Sequence, residues 1–170
     1  MRSLFRKSLS TKKFSELYRR LSLFLKDKSY LAVRCKMKII KAGSSPTRKA
    51  SSEYFTGNVW QDPIIEAEEP ARVRVLKVSF EPKARTAWHT HPLGQTLHVI
   101  SGVGLMGLRN ENPQLITAGD TVWIPPGEEH WHGASATNSM THIAIQEALN
   151  GSVAEWLEQV SDDQYSLNTD

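Results

Sequence analysis

The sequence predicts an all-β domain, an antiparallel barrel or sandwich. Three observations carry this. From Phe55 onward, short β-type segments recur, separated by turn signals such as Glu81-Pro82, Asn110–Pro113 and Ala118-Gly119-Asp120. Within several of them apolar residues alternate, as one half-buried face of a strand requires. No helix-periodic segment lies between the strands, so a parallel βαβ sheet is not expected.

The elements follow in order. Residues 1–36 carry 11 Lys/Arg against 2 acids, a net +9, whereas residues 37–170 are net −6. The basic pI therefore belongs to the N-terminal extension, and nucleic acid is not an expected partner of the mildly acidic body. Phe14, Leu17, Tyr18, Leu21, Phe24 and Leu25 recur at helical spacing. A basic amphipathic helix would fit this segment as a transit-like peptide or a membrane-surface helix. Upstream sequence ahead of a start at Met37 fits equally. The apolar stretch Leu21–Leu25 is too short for a secretory signal, and no run approaches the ~18–20 residues of a membrane span. Cys35 is the only cysteine, which excludes an intrachain disulfide and a Cys-based zinc site and suits the cytoplasm. Residues 37–54 read as an arm or linker, rich in Ala, Gly, Ser and Pro over 42–52.

The body spans residues 55–170. Leu76, Val78 and Phe80 alternate on one face of a strand that Glu81-Pro82 closes. Leu97, Val99 and Ser101 continue the parity of Gln95, so all four are expected inward. Ser101-Gly102 is read as a turn into Val103–Leu108. Thr121–Pro125 and Met140–Gln146 are further strands. A C-terminal helix is expected to follow: Ser152-x-x-Glu155 has the form of a capping box, and Val153, Trp156, Leu157 and Val160 fall at i, i+3, i+4 and i+7.

Two segments carry the chemistry: His89-Thr90-His91-Pro92-Leu93-Gly94-Gln95 and Pro125-Pro126-Gly127-Glu128-Glu129-His130. His89 and His91 are two apart and share a strand face. Gln95 lies one turn on, and His130 follows a Pro-Pro-Gly turn. Burying four such polar groups without a common partner would be costly. A divalent transition metal supplies one, and three imidazoles plus an amide oxygen accept Mn, Fe, Co, Ni, Cu or Zn. All four donors are neutral, so the ion would keep its full charge and favour bound anions. His98 has the opposite parity to Gln95 and is expected to face outward. His132 could share the face of His130. His142 shares parity with Ala144 and Gln146, and an imidazole near pH 7 suits proton transfer. Ile143 and Ile145 take the other face. Trp88, Trp123 and Trp131 are expected to pack, with a possible part in the cavity wall.

The spacing His-x-His-x3-Gln-x6-Gly, from His89 to Gly102, and Gly-x5-Pro-x-Gly-x2-His, from Gly119 to His130, resembles the two signature motifs of the cupin superfamily. Three positions depart from it. Gln95 replaces the usual acid, Lys83 stands at an opening Gly, and Ala134 stands at a closing Asn. Longer strings, Phe80 to Leu97, Glu129 to Ala134, Met140 to Glu147 and Asp162 to Tyr165, look like the small bacterial cupins that include the manganese-dependent (R)-selective hydroxynitrile lyases. The resemblance implies a single-domain double-stranded β-helix, a jelly-roll barrel. It implies metal ligands at His89, His91, Gln95 and His130, with manganese favoured, and an acid/base at His142.

Three functions are then in competition. The first is a lyase that cleaves or forms a cyanohydrin, with Thr86, Gln146, Leu76 and Val78 shaping the pocket for a small-molecule substrate. The second is a Mn- or Fe-dependent dioxygenase or other oxidoreductase at the same ligands. The third is a non-catalytic cupin that binds a metabolite. A homo-oligomer, dimer or tetramer, is expected in each case.

Overall fold

A computed structural model of the chain describes residues 37–166. The amphipathic pattern of residues 1–36 and Cys35 lie outside the described residues. Among those described, no helix is long and apolar enough to cross a membrane. The account below concerns the unit Ile40–Asp170.

Two antiparallel sheets face each other. The first contains β1 (Arg48–Lys49), β3 (Val59–Glu66), β4 (Val73–Phe80), β11 (Met140–Glu147), β9 (Thr121–Ile124) and the first half of β7 (Gln95–Leu108). The second contains β2 (Phe55–Thr56), β5 (Arg85–Thr86), β6 (His89–Thr90), β8 (Gln114–Thr117), β10 (His130–Ala134), β12 (Glu155–Trp156) and the second half of β7. The strand order β1-β3-β4-β11-β7-β10-β5-β2 is thus one curled sheet, bent where β7 passes from one layer to the other.

That bend corrects one expectation. Ser101-Gly102 is not a turn between two strands but an irregularity inside the single 14-residue strand β7. His142 pairs with Val99 and Thr141 with Ser101, so one residue of β7 is left over. A bulge of this kind reverses the inward parity. Leu97 and Val99 are fully buried as expected, whereas Ser101 is exposed. Gly102 is required at the bend. Its φ is +82°, and a Cβ there would sit 1.9 Å from the Ser139 carbonyl oxygen. Lys83 also has a positive φ, 69°, which explains why this position suits glycine in the motif.

The core between the sheets holds Phe55, Val59, Val78, Phe80, Leu97, Val99, Ile124 and Met140. Full burial of each such side chain contributes roughly 1.5–3 kcal/mol. A second cluster, Trp88, Leu105, Trp131, Val160 and Tyr165, packs apart from it. Trp88 and Trp131 are therefore packing residues, and Trp123 is 61% exposed on the outside. The arm is not wholly loose, because Arg48 and Lys49 pair with Gln61 and Trp60.

The expected helix over Ser152–Val160 does not form. The segment is extended, with Trp156 in register with His89 and Glu155 with Thr90. Trp88 N donates to Glu158 O at 2.9 Å, and Leu157 N donates to Trp88 O at 2.8 Å. Pairing with an open strand edge has overridden a helical apolar pattern. The short C-terminal helix, α1, is Asp162–Tyr165, and its capping box is formed by Ser161 and Gln164. The segment is pinned down strongly. Buried Arg85 donates to Val160 O at 2.9 Å and to Asp162 at 2.7 Å, and its guanidinium lies over the Tyr165 ring. Tyr165 donates to Ala134 O at 2.7 Å.

Candidate metal centre

The open end between the sheets holds a cavity of about 100 Å³. Its walls come from both layers. Gln61, Leu76, Val78, Gln95, His142, Ala144 and Gln146 face it from the first sheet. Phe55, Thr86, His89, His132 and Trp156 face it from the second, with His91, Val153 and Ala154 from adjoining loops. Leu76, Val78, Thr86, His142 and Gln146, the expected pocket residues, all lie on this surface. His98 is exposed and paired with Thr121 at 2.9 Å.

β6, the turn after it and β10 bring three imidazoles together. Ring centroids are 4.2 Å apart for His89 and His130, 5.1 Å for His89 and His91, and 5.5 Å for His91 and His130. In each ring Nδ1 meets a backbone carbonyl. His89 meets Ala87 O at 3.0 Å, His91 meets Val153 O at 2.6 Å, and His130 meets Glu128 O at 2.9 Å. A carbonyl only accepts, so Nδ1 carries the proton and Nε2 keeps its lone pair. The Nε2 of His91 is buried with no hydrogen-bond partner. That is the outer hydrogen bonding which holds metal-ligating imidazoles in the correct tautomer.

Gln95 completes the ring of donors. Its Nε2 donates to Gln146 Oε1 at 3.2 Å, which turns its own Oε1 toward His130 Nε2, 3.3 Å away. Two lone pairs then face each other with no proton between them. A cation resolves that conflict, so these residues fit a divalent ion.

His132 brings a further imidazole to this centre. Its ligand atom lies within 4.8 Å of those of His89 and His130, so among the described residues the triad whose ligand atoms lie that close together is His89, His130 and His132, with His132 in the place expected for His91. Its environment differs from that of the other rings. His132 Nδ1 contacts His142 Nε2 at 3.2 Å instead of a carbonyl, and its Nε2 has no partner. Its place on the His130 face was legible from the two-residue spacing. His142 therefore has its partner on β10, the strand that carries His130. Nδ1 of His142 has no partner beyond its own backbone.

Burial dominates the electrostatics. It lowers His130 to about 4 and His142 to about 3, and holds His89 and His132 well below the ordinary imidazole value. His91 is lowered for the same reason. All five rings are thus neutral at pH 7, the form that ligates metal. For His142 this corrects the expectation of an unperturbed imidazole.

Comparison with known proteins agrees with this geometry. The cupin domain profile matches residues 76–145. An (R)-mandelonitrile lyase of Granulicella tundricola is 50% identical over 129 residues, which cover 76% of this chain and 98% of that protein. The chain belongs to the cupins. A cupin-like protein of Thermotoga maritima superposes with a TM-score of 0.66 at 40% identity, covering 76% of this chain and 95% of that one. The polyketide cyclase RemF of Streptomyces resistomycificus, at 15% identity, shares the fold with a TM-score of 0.61, over 76% of this cupin and 91% of the cyclase. This cupin therefore carries a histidine triad suited to metal, at the mouth of a barrel that a relative named as a lyase shares.

Proposed function

We propose that this cupin is a metal-dependent lyase that cleaves a cyanohydrin to an aldehyde and hydrogen cyanide, and catalyses the reverse. The observation that carries the reading is the shared pattern at His89, His91 and His130. Each Nδ1 sits on a backbone carbonyl, and the amide oxygen of Gln95 is turned toward the same centre. These four residues hold the ion, and manganese is the ion implied by the resemblance to manganese-dependent lyases. His132 lacks such a carbonyl and is assigned outside the ligand set. The ion supplies Lewis acidity that lowers the pKa of the substrate hydroxyl.

The remaining steps belong to the protein. His142, neutral and buried, accepts the hydroxyl proton at Nδ1 as the C–C bond to cyanide breaks. It returns that proton to the departing cyanide, so atoms and charge balance. His132 holds the other nitrogen of His142. Thr86 lines the cavity, and its hydroxyl accepts from the backbone N–H of His132 at 3.1 Å. Gln146 orients Gln95. Leu76, Val78 and Ala144 exclude water from the reacting carbon.

The test is turnover of cyanohydrins by metal-loaded protein, under air and under argon. Equal rates in both gases are expected, and oxygen consumption would favour an oxidoreductase instead. His142→Ala should retain its metal yet lose roughly 10²–10⁴ in rate, the usual worth of a positioned acid/base. A wild-type rate in that variant removes His142 from the mechanism.

We also propose a homo-oligomer. Ile65, Val75, Ile145, Thr96 and Trp123 form one register row across the outer face of the first sheet, and Trp123, Ile65 and Ile145 are exposed on it. A second copy covering this row predicts that Trp123→Lys lowers the sedimenting mass. An unchanged mass opposes it.

A further inference from the structure

His89 and His130 are held by the same local device. Each opens a strand, β6 and β10, and the two residues pair directly across the antiparallel ladder. The Nδ1 of each ring meets the carbonyl two residues earlier, Ala87 O for His89 and Glu128 O for His130. One residue lies between each carbonyl and its imidazole, Trp88 in the first case and Glu129 in the second. In extended chain, neighbouring residues take opposite sides. Trp88 accordingly packs in the second apolar cluster, apart from the core that borders the cavity.

A single side chain grips both of these intervening residues. Arg109 follows the end of β7, whose last residue, Leu108, is in register with His130. The Nε of Arg109 donates to Glu129 at 2.6 Å, and its guanidinium carbon lies 3.9 Å from the centre of the Trp88 ring. Its Nη1 pairs with Glu158 at 2.7 Å. Glu158 belongs to the extended C-terminal segment, and its backbone carbonyl accepts from the Trp88 N–H at 2.9 Å. The same segment carries Val153, whose carbonyl meets His91 Nδ1. The three carbonyls that orient the imidazoles therefore lie on three chain segments, and Arg109 ties all three together.

An isolated ion pair at the surface is worth little. Arg109 makes more than that. Its planar guanidinium lies on the face of a buried indole while its edge reaches two carboxylates on separate segments. A lysine ammonium cannot reproduce this combination.

We propose that Arg109 is a positioning residue for the metal centre, a clamp that fixes the segments carrying His89, His130 and Val153 and so sets the spacing of the imidazoles. This rests on the metal-centre part of the lyase reading and deepens it. Arg109 acts through the backbone on either side of the residues it grips, and each imidazole keeps its own carbonyl. Ligand geometry tolerates only small displacements. Loss of the clamp should therefore disturb the metal more than the fold.

The test is calorimetric titration of Mn2+ into the metal-free full chain, with the visible spectrum of the Co2+-loaded protein as a report on ligand geometry. Arg109→Met keeps the apolar stem and removes the guanidinium. It should bind Mn2+ roughly three- to tenfold more weakly, less than the 10–100-fold typical of a group that touches the ligand itself. Its Co2+ spectrum should shift. Arg109→Lys should recover little of either property. Glu129→Gln should weaken Mn2+ binding in the wild-type background and add little in the Arg109→Met background, because the two residues act as one unit. Glu129→Gln carries the test if Arg109→Met does not fold. A lower Tm with unchanged Mn2+ affinity and Co2+ spectrum, or full recovery by Arg109→Lys, overturns the proposal. If His89→Ala abolishes Mn2+ binding while Arg109→Met matches wild type, the clamp fails and the metal centre stands. Wild type that binds no Mn2+ overturns both. If Mn2+ binding depends on Arg109 while no cyanohydrin is turned over, the clamp stands and the lyase reading fails.

Discussion

Removing metal and lowering the pH should unfold this protein well before its carboxylates titrate. The perturbation is chelation followed by acidification from about pH 7 to about pH 4.5. Burial lowers His130 to about 4 and His142 to about 3, while an unfolded imidazole sits near 6.5. Between those values the unfolded chain binds protons that the fold refuses. Stability is therefore fully present above about pH 6.5 and falls as the pH drops through the window. At about pH 4.5 each of these two rings costs roughly 2–3 kcal/mol. Together they approach the low end of a domain's whole stability, about 5–15 kcal/mol. His89, His91 and His132 are lowered in the same direction and add to the loss. Calorimetry of the metal-free protein should show Tm falling by at least about 15 °C across this range. Divalent ion added at the low pH should restore part of it, because metal and proton compete for the same lone pairs. The exposed carboxyls of Asp62, held low by Lys77, and of Glu158, held low by Arg109, begin to cost stability only as the pH nears the ordinary carboxyl value, at the bottom of this window. A metal-free protein whose Tm moves by less than about 3 °C would refute the claim that these rings are buried and neutral.

Three other outcomes are expected. Gly102→Ala should cost about 1–3 kcal/mol or more by denaturant unfolding, because φ is +82° and the new Cβ meets the Ser139 carbonyl; no loss would mean the β7 bend is not as described. Gln146→Leu should weaken metal binding about 10–100-fold in a titration, since nothing then orients the Gln95 amide, and unchanged affinity would deny Gln146 that role. Gln95→Glu should keep the metal but weaken azide or cyanide binding to it, and equal anion affinity would remove the charge argument.

The sheets and most of the site were legible because strand parity is a strict code. Gln95, Leu97 and Val99 point inward together, and so do Met140, His142, Ala144 and Gln146. The code fails where a strand gains a residue, and Ser101 was misplaced for that reason alone. The C-terminal segment failed differently. Val153, Trp156, Leu157 and Val160 fit a helix, yet the edge of β6 offered unpaired backbone groups that local periodicity cannot register. The same error hid Trp156 from the cavity. Gln146 was read as pocket lining, and only its 3.2 Å bond to Gln95 reveals an orienting role. The pairing of His132 with His142 crosses from one sheet to the other, which no single-strand pattern contains.

The charge balance of this site links its proposed ligands to the proposed chemistry. Metal-ligating histidines are often held by carboxylates, which bring negative charge toward the ion. Here the partners of His89, His91 and His130 are the carbonyls of Ala87, Val153 and Glu128, and the partner of Gln95 is another amide. Among the described residues, those lining the cavity include no Asp or Glu. Neither the proposed ligands nor the groups that orient them would therefore offset the charge of a bound divalent ion. In a buried, low-dielectric chamber that charge acts strongly on whatever anion forms beside it. An alkoxide and a cyanide are the anions that a cyanohydrin yields. A Glu in place of Gln95 would be the sole anion among the donors, and would compete with the substrate oxygen for the same positive charge.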